Sequence, residues 1–105
     1  MSMTLSSRAN PTSAVIVVEG EVDLKNSGEL RRELLACLAA GRPVTVELSG
    51  VAYIDSSGVA ALIEAYQAAR RQNRIFCLAN VSPAVLRVLK LARLDQVFEL
   101  REDPR

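Results

Sequence analysis

Residues 44–79 read VTVELSGVAYIDSSGVAALIEAYQAARRQNRIFCLA, and their pattern decides the fold. Val44 to Leu48 reads as a buried strand that Ser49-Gly50 breaks. Asp55-Ser56-Ser57-Gly58 opens a helix that runs to about Arg71. Val59, Leu62, Ile63, Tyr66 and Ala69 give it an apolar stripe at helical spacing. Gln72-Asn73 closes the helix, and Ile75 to Ala79 is the next strand. A buried strand, an amphipathic helix and a second buried strand make a unit whose strands run parallel.

The same alternation extends outward. Upstream, Met3 to Ser6 reads as a short edge strand, and Asn10-Pro11-Thr12-Ser13 as a turn. Ala14 to Val18 reads as a strand buried on both faces, and Glu19-Gly20-Glu21-Val22-Asp23 as an acidic loop. A helix follows from about Asn26 to Ala40, with Leu30, Leu34, Cys37 and Leu38 on one face, stopped by Gly41 and Pro43. Downstream, Ser82 and Pro83 take the N-cap and first positions of a third helix that buries Val85, Val88, Leu89 and Ala92. Val97 to Leu100 is a last strand. The expected order is β-β-α-β-α-β-α-β, an α/β domain whose right-handed crossovers put the helices on one face of the sheet; helices on both faces are the alternative, for which three helices are few. One domain is expected over residues 1–105, with its core at about 14–100 and loose ends at 1–12 and 101–105.

Composition excludes much chemistry. Thirteen Lys and Arg balance twelve Asp and Glu to a net charge of +1, so no basic excess points to nucleic acid. There is no histidine, which removes Ser-His and Cys-His catalytic pairs and the commonest metal ligand. Cys37 and Cys77 sit forty positions apart in apolar runs and read as buried thiols in a reducing compartment. No stretch reads as a signal peptide or a membrane span, so a cytoplasmic protein is expected, with no direct insertion into a membrane. No cofactor loop is present, and no catalytic or metal-binding residues are assigned.

Three features carry the candidate site. Asp55-Ser56-Ser57-Gly58 has a plain reading as a helix cap, because Asp and Ser accept from the free amides of a first turn. The same geometry suits a charge switch: a phosphate at a helix N-terminus is tolerated by its own protein and adds about −1.5 to −2 charges. The second feature is the side of this helix away from the stripe, with Ser57, Ala61, Glu64, Ala68 and Arg71. It reads either as simple helix propensity or as a flat docking surface continuous with Ser56. The third is the acidic loop, whose carboxylates fit a solvated turn better than a cation site, with Asp23 available as a cap.

Gly20-Glu21-Val22-Asp23, then a helix, then Asp55-Ser56-Ser57-Gly58-Val59, then Asn80-Val81-Ser82-Pro83-Ala84-Val85, resembles the STAS domain over about residues 14–100. The spacing is similar to that of single-domain bacterial anti-sigma factor antagonists. The resemblance implies a four- to five-stranded mixed sheet with helices on one face, and a non-enzymatic regulatory binder. It implies that the unphosphorylated form binds an anti-sigma factor that is itself a serine kinase, that the kinase phosphorylates Ser56, and that a phosphatase reverses this. It places Asp23, Asp55, Ser57 and Gly58 in the contact surface, extended along the helix by Ala61 and Glu64. STAS domains also serve as accessory subunits of ABC-type lipid transporters, which leaves a transporter subunit as the alternative partner.

Overall fold

The computed structural model describes residues 2–10 and 12–103. Five strands form one mixed sheet in the order β1-β2-β3-β4-β5. They are β1 (Met3–Asn10), β2 (Ser13–Val22), β3 (Val44–Ile54), β4 (Phe76–Ala79) and β5 (Glu99–Arg101). The hairpin of β1 and β2 is antiparallel, and every later neighbour pairs parallel. Parallel neighbours need crossovers, and α1 (Ser27–Ala39), α2 (Ser56–Arg71) and α3 (Pro83–Leu91) supply them. All three helices pack on one face.

Burial follows from that layering. Along β2, Ala14, Ile16, Val18 and Val22 are buried, while Val15 and Val17 are only partly covered. The expected two-sided burial of Ala14 to Val18 is therefore replaced by alternation, because helices cover a single face. Leu30, Leu34 and Leu38 of α1 meet Leu62 and Ala65 of α2 in the core. Cys37, expected in the buried stripe, is only partly covered. Desolvation of its thiol raises its pKa, which disfavours the reactive thiolate. On α3, Val85 and Leu89 are buried, Val88 is half-covered and Ala92 is exposed beyond the helix end. Phe98 fills the far end of the core, edge-on to Tyr66 with ring centroids 5.5 Å apart.

Two strands run further than their sequence signals. Glu19 to Val22, expected as a loop, continue β2, and Ser49-Gly50 does not break β3. The segments stay paired because their irregular residues face each other: Glu19 opposes Gly50 and Gly20 opposes Val51, with register shifts on either side. Glycine suits such a bulge. Gly20 has φ of 95°, and a Cβ there would lie 2.3 Å from the Ser2 carbonyl oxygen. The ends are also better held than expected. Met3–Asn10 is a full strand. Asp103 is pinned by Asn80, which accepts from its amide at 2.9 Å and donates to its carbonyl at 2.9 Å. Pro11 of the expected turn and residues 104 and 105 of the expected loose tail lie outside the described residues.

The long β3 is what positions the site. Its last pairing is Val22 with Ile54, so Asp23 and Asp55 emerge side by side at the same end of the sheet. The Asp55 amide closes the junction by donating to the Val22 carbonyl at 3.1 Å. Ser82 ties α3 to the same strand, since its hydroxyl donates to the Val51 carbonyl at 2.6 Å and accepts from the Val85 amide at 3.3 Å. Ser82→Ala removes the cap and strands a buried carbonyl. It is expected to lower unfolding stability by about 1–3 kcal/mol, read by urea denaturation. An unchanged urea midpoint would contradict this role.

Candidate functional site

The site is the junction between β3 and α2 together with the turn between β2 and α1. Asp55 is the N-cap of α2 in extended conformation. Its Oδ1 accepts from the Ser57 amide at 2.9 Å and the Gly58 amide at 3.2 Å. The same oxygen accepts from the Ser57 hydroxyl at 2.5 Å. These donors, the Ser57 hydroxyl first, hold the Asp55 carboxyl below its ordinary value.

The two serines of the motif are thereby made different. Ser57 spends its hydroxyl on Asp55 and is half-buried. Ser56 stands at the first position of α2, is exposed, and makes no side-chain hydrogen bond among the described residues. Its hydroxyl is the one at this end that an incoming reagent reaches directly.

Gly58 is a packing residue. It is buried, and a Cβ there would lie 2.7 Å from both Ile54 Cγ1 and Val22 Cγ1. The first turn of α2 sits down on the ends of β2 and β3 only because no side chain intervenes. Gly58 therefore has no side chain or surface to offer a partner, which corrects its expected place in the contact surface.

The expected docking face along α2 is also corrected. Ala61 is 3% exposed and Ala68 is 5% exposed. They are buried because α1 packs beside α2, so the alanines serve close helix–helix approach. Glu64 is half-exposed and ion-pairs with Arg31 of α1. Such a surface pair contributes about 0.2–1 kcal/mol. Of the expected α2 face, Ser57 is partly covered and Glu64 and Arg71 are exposed, with the buried alanines between them.

Asp23 lies beside Asp55, as expected, but it organises its own turn. Its Oδ1 accepts from the Lys25 amide at 2.9 Å, and its carbonyl accepts from the Ser27 amide at 2.8 Å. The residue that sequence reasoning missed is Asn26. Its Oδ1 accepts from the Asp23 amide at 2.9 Å, and its Nδ2 donates to the Glu21 carbonyl at 2.9 Å. Asn directly before a helix is the available signal, although here the side chain staples the preceding turn instead of capping α1. Among the described residues no group of three His, Cys, Asp or Glu is placed to hold a metal ion. No described helix is long and apolar enough to cross a membrane.

Comparison with known proteins fits this geometry. A family model described as "Mlab, STAS domain" matches residues 5–102. The chain belongs to the STAS domain family. Among curated relatives, an anti-sigma-B factor antagonist of Bacillus subtilis is 21% identical over 95% of this chain and 92% of its own length. The crystal structure of an anti-sigma factor antagonist from Mycobacterium paratuberculosis superposes with a TM-score of 0.85 at 27% identity, covering 95% of this chain and 86% of that one. The Bacillus cell fate determinant SpoIIAA, solved in its phosphorylated form, shares the fold with a TM-score of 0.77 at 18% identity, covering 99% of this chain and 93% of that one.

Two measurements test this site. Gly58→Ala is expected to destabilise the fold by about 1–3 kcal/mol through overpacking against Ile54 and Val22, read by thermal melts. The second is pH dependence. Asp55 has a depressed folded-state pKa, so its stabilisation is present above the ordinary value of 3.8 and is lost as pH falls through the lower folded value. In melts from about pH 6 to about pH 2.5, Asp55→Asn keeps a capping oxygen but is expected to lose part of the acid-induced fall in melting temperature. Identical pH profiles for the variant and wild type would contradict the assignment.

Proposed function

We propose that this STAS domain is an anti-sigma factor antagonist that acts in the cytoplasm without catalysis and is switched by phosphorylation of Ser56. The observation that carries the reading is the division of labour at the start of α2. Ser57 is consumed by the cap, and Ser56 is exposed with an uncommitted hydroxyl. The antagonists among the relatives and solved structures support the regulatory class, and SpoIIAA is known in a phosphorylated form.

In this reading the unphosphorylated surface around Asp23, Asp55 and Ser56 binds an anti-sigma factor that is a serine kinase. The kinase transfers the γ-phosphoryl group of ATP to Ser56 Oγ, the hydroxyl proton leaves and ADP departs. The helix N-terminus favours the new charge by about 0.3–1 kcal/mol, and the neighbouring Asp55 opposes it, so the fold is held nearly constant. The surface, by contrast, gains about −1.5 to −2 charges beside Asp55 and Asp23. A partner matched to the neutral hydroxyl must then desolvate an unpaired dianion, and it dissociates. A phosphatase restores the binding form.

The test is incubation with the serine-kinase anti-sigma factor of the same genome and ATP, followed by peptide mapping of the phosphate. One phosphate on Ser56 is expected, and none on Ser56→Ala. Phosphate on Ser57 or Ser49 with Ser56 unmodified would overturn the assignment.

A further inference from the structure

Leu24 is a large apolar side chain that folding leaves out of the core. It is 79% exposed, at the crest of the turn between β2 and α1. Exposed leucines on mobile loops are common, but this turn is cross-tied on both sides of Leu24. The Asp23 amide donates to Asn26 Oδ1 at 2.9 Å and the Lys25 amide donates to Asp23 Oδ1 at 2.9 Å. Asn26 Nδ2 reaches back to the Glu21 carbonyl at 2.9 Å. The Asn26 and Ser27 amides both donate to the Asp23 carbonyl, at 3.1 and 2.8 Å. The Asp55 amide donates to the carbonyl of Val22, two residues before Leu24, at 3.1 Å, and the Asp55 side chain caps the helix that starts with Ser56. The turn that carries Leu24 is thus cross-braced by its own hydrogen bonds and sits beside the start of α2.

We propose that Leu24 is the apolar anchor by which this surface grips its protein partner, seated in an apolar recess that Arg or Lys side chains border. The proposal rests on the reading of Ser56 as a switch and names what the switch acts on. The bordering charge is argued from complementarity: Glu21 and Asp23 precede Leu24 in the chain, Asp55 follows the strand end paired with Val22, and Lys25 is the cation within the turn. An apolar centre inside a charged rim is the usual build of an interface hot spot. The rigid turn lowers the ordering cost of binding, since the anchor is presented in place before contact. Because Val22 pairs with Ile54 at the ends of β2 and β3, the turn that carries Leu24 lies beside the start of α2, and a phosphate on Ser56 places its charge at the edge of the recess that receives Leu24.

The test is isothermal titration of the unphosphorylated full chain into the purified serine-kinase anti-sigma factor of the same genome, with thermal melts in parallel. Leu24→Ala is expected to raise Kd by about tenfold or more, and Leu24→Met to stay within about threefold of wild type. Both variants are expected to melt like wild type, since the side chain packs on nothing. Wild-type affinity in Leu24→Ala would overturn the anchor and leave the Ser56 switch standing. A lowered melting temperature in Leu24→Ala would also overturn it by making Leu24 a structural residue, and equal losses in Leu24→Ala and Leu24→Met would overturn it by showing that apolar bulk at this position is not what the partner grips. No binding by the unphosphorylated wild type would overturn the functional reading, and the anchor with it.

Discussion

One carboxylate organises the end of the molecule where the chemistry is concentrated. Asp55 accepts from two amides of α2 and from the Ser57 hydroxyl, and its own amide donates to the Val22 carbonyl across the sheet end. Each bond alone is worth about 1–3 kcal/mol when the acceptor is charged. Together they fix three things: where α2 begins, which serine keeps a free hydroxyl, and how the ends of β2 and β3 are joined. The arrangement depends on the close approach at Gly58. A side chain there would press on Val22 and Ile54 and oppose the seating of the first turn of α2 on the ends of the strands.

The remainder of the fold supplies a rigid frame for that end. Parallel pairing of β2 with β3 out to Val22 and Ile54 sets Asp23 next to Asp55. Burial of Ala61, Ala65 and Ala68 draws α2 against α1 and the sheet, so the start of α2 cannot swing as a unit. Ser82 ties α3 to Val51, three residues before Ile54 on the same strand. A switch built on such a frame works by changing surface charge. A large rearrangement would have to break a close-packed core, which costs far more than one phosphate group provides.

The elements of the fold were legible in the sequence because their signals are local. Leu30, Leu34 and Leu38 mark a helix face, Ser82-Pro83 marks a helix start, and the Asp55 cap lies where the motif puts it. What was not legible depended on neighbours in space. Glu19-Gly20 and Ser49-Gly50 look like breakers, yet they oppose each other and continue both strands through a bulge. Ala61 and Ala68 look like a bare outer face until α1 is laid beside them. At the site, Ser56 and Asp23 were legible as positions, whereas the buried role of Gly58 and the stapling by Asn26 needed the chain to be folded.

The central claim is that charge at Ser56, and not its shape, decides whether the partner stays bound. The most direct measurement is the affinity of Ser56→Asp and Ser56→Asn for the serine-kinase anti-sigma factor at low and at high ionic strength. The two side chains are nearly equal in size and differ by one charge. Ser56→Asp is expected to bind more weakly than Ser56→Asn by about tenfold, and the gap is expected to narrow as salt screens the charge. Equal affinities at both ionic strengths would contradict the account and make the effect at Ser56 steric.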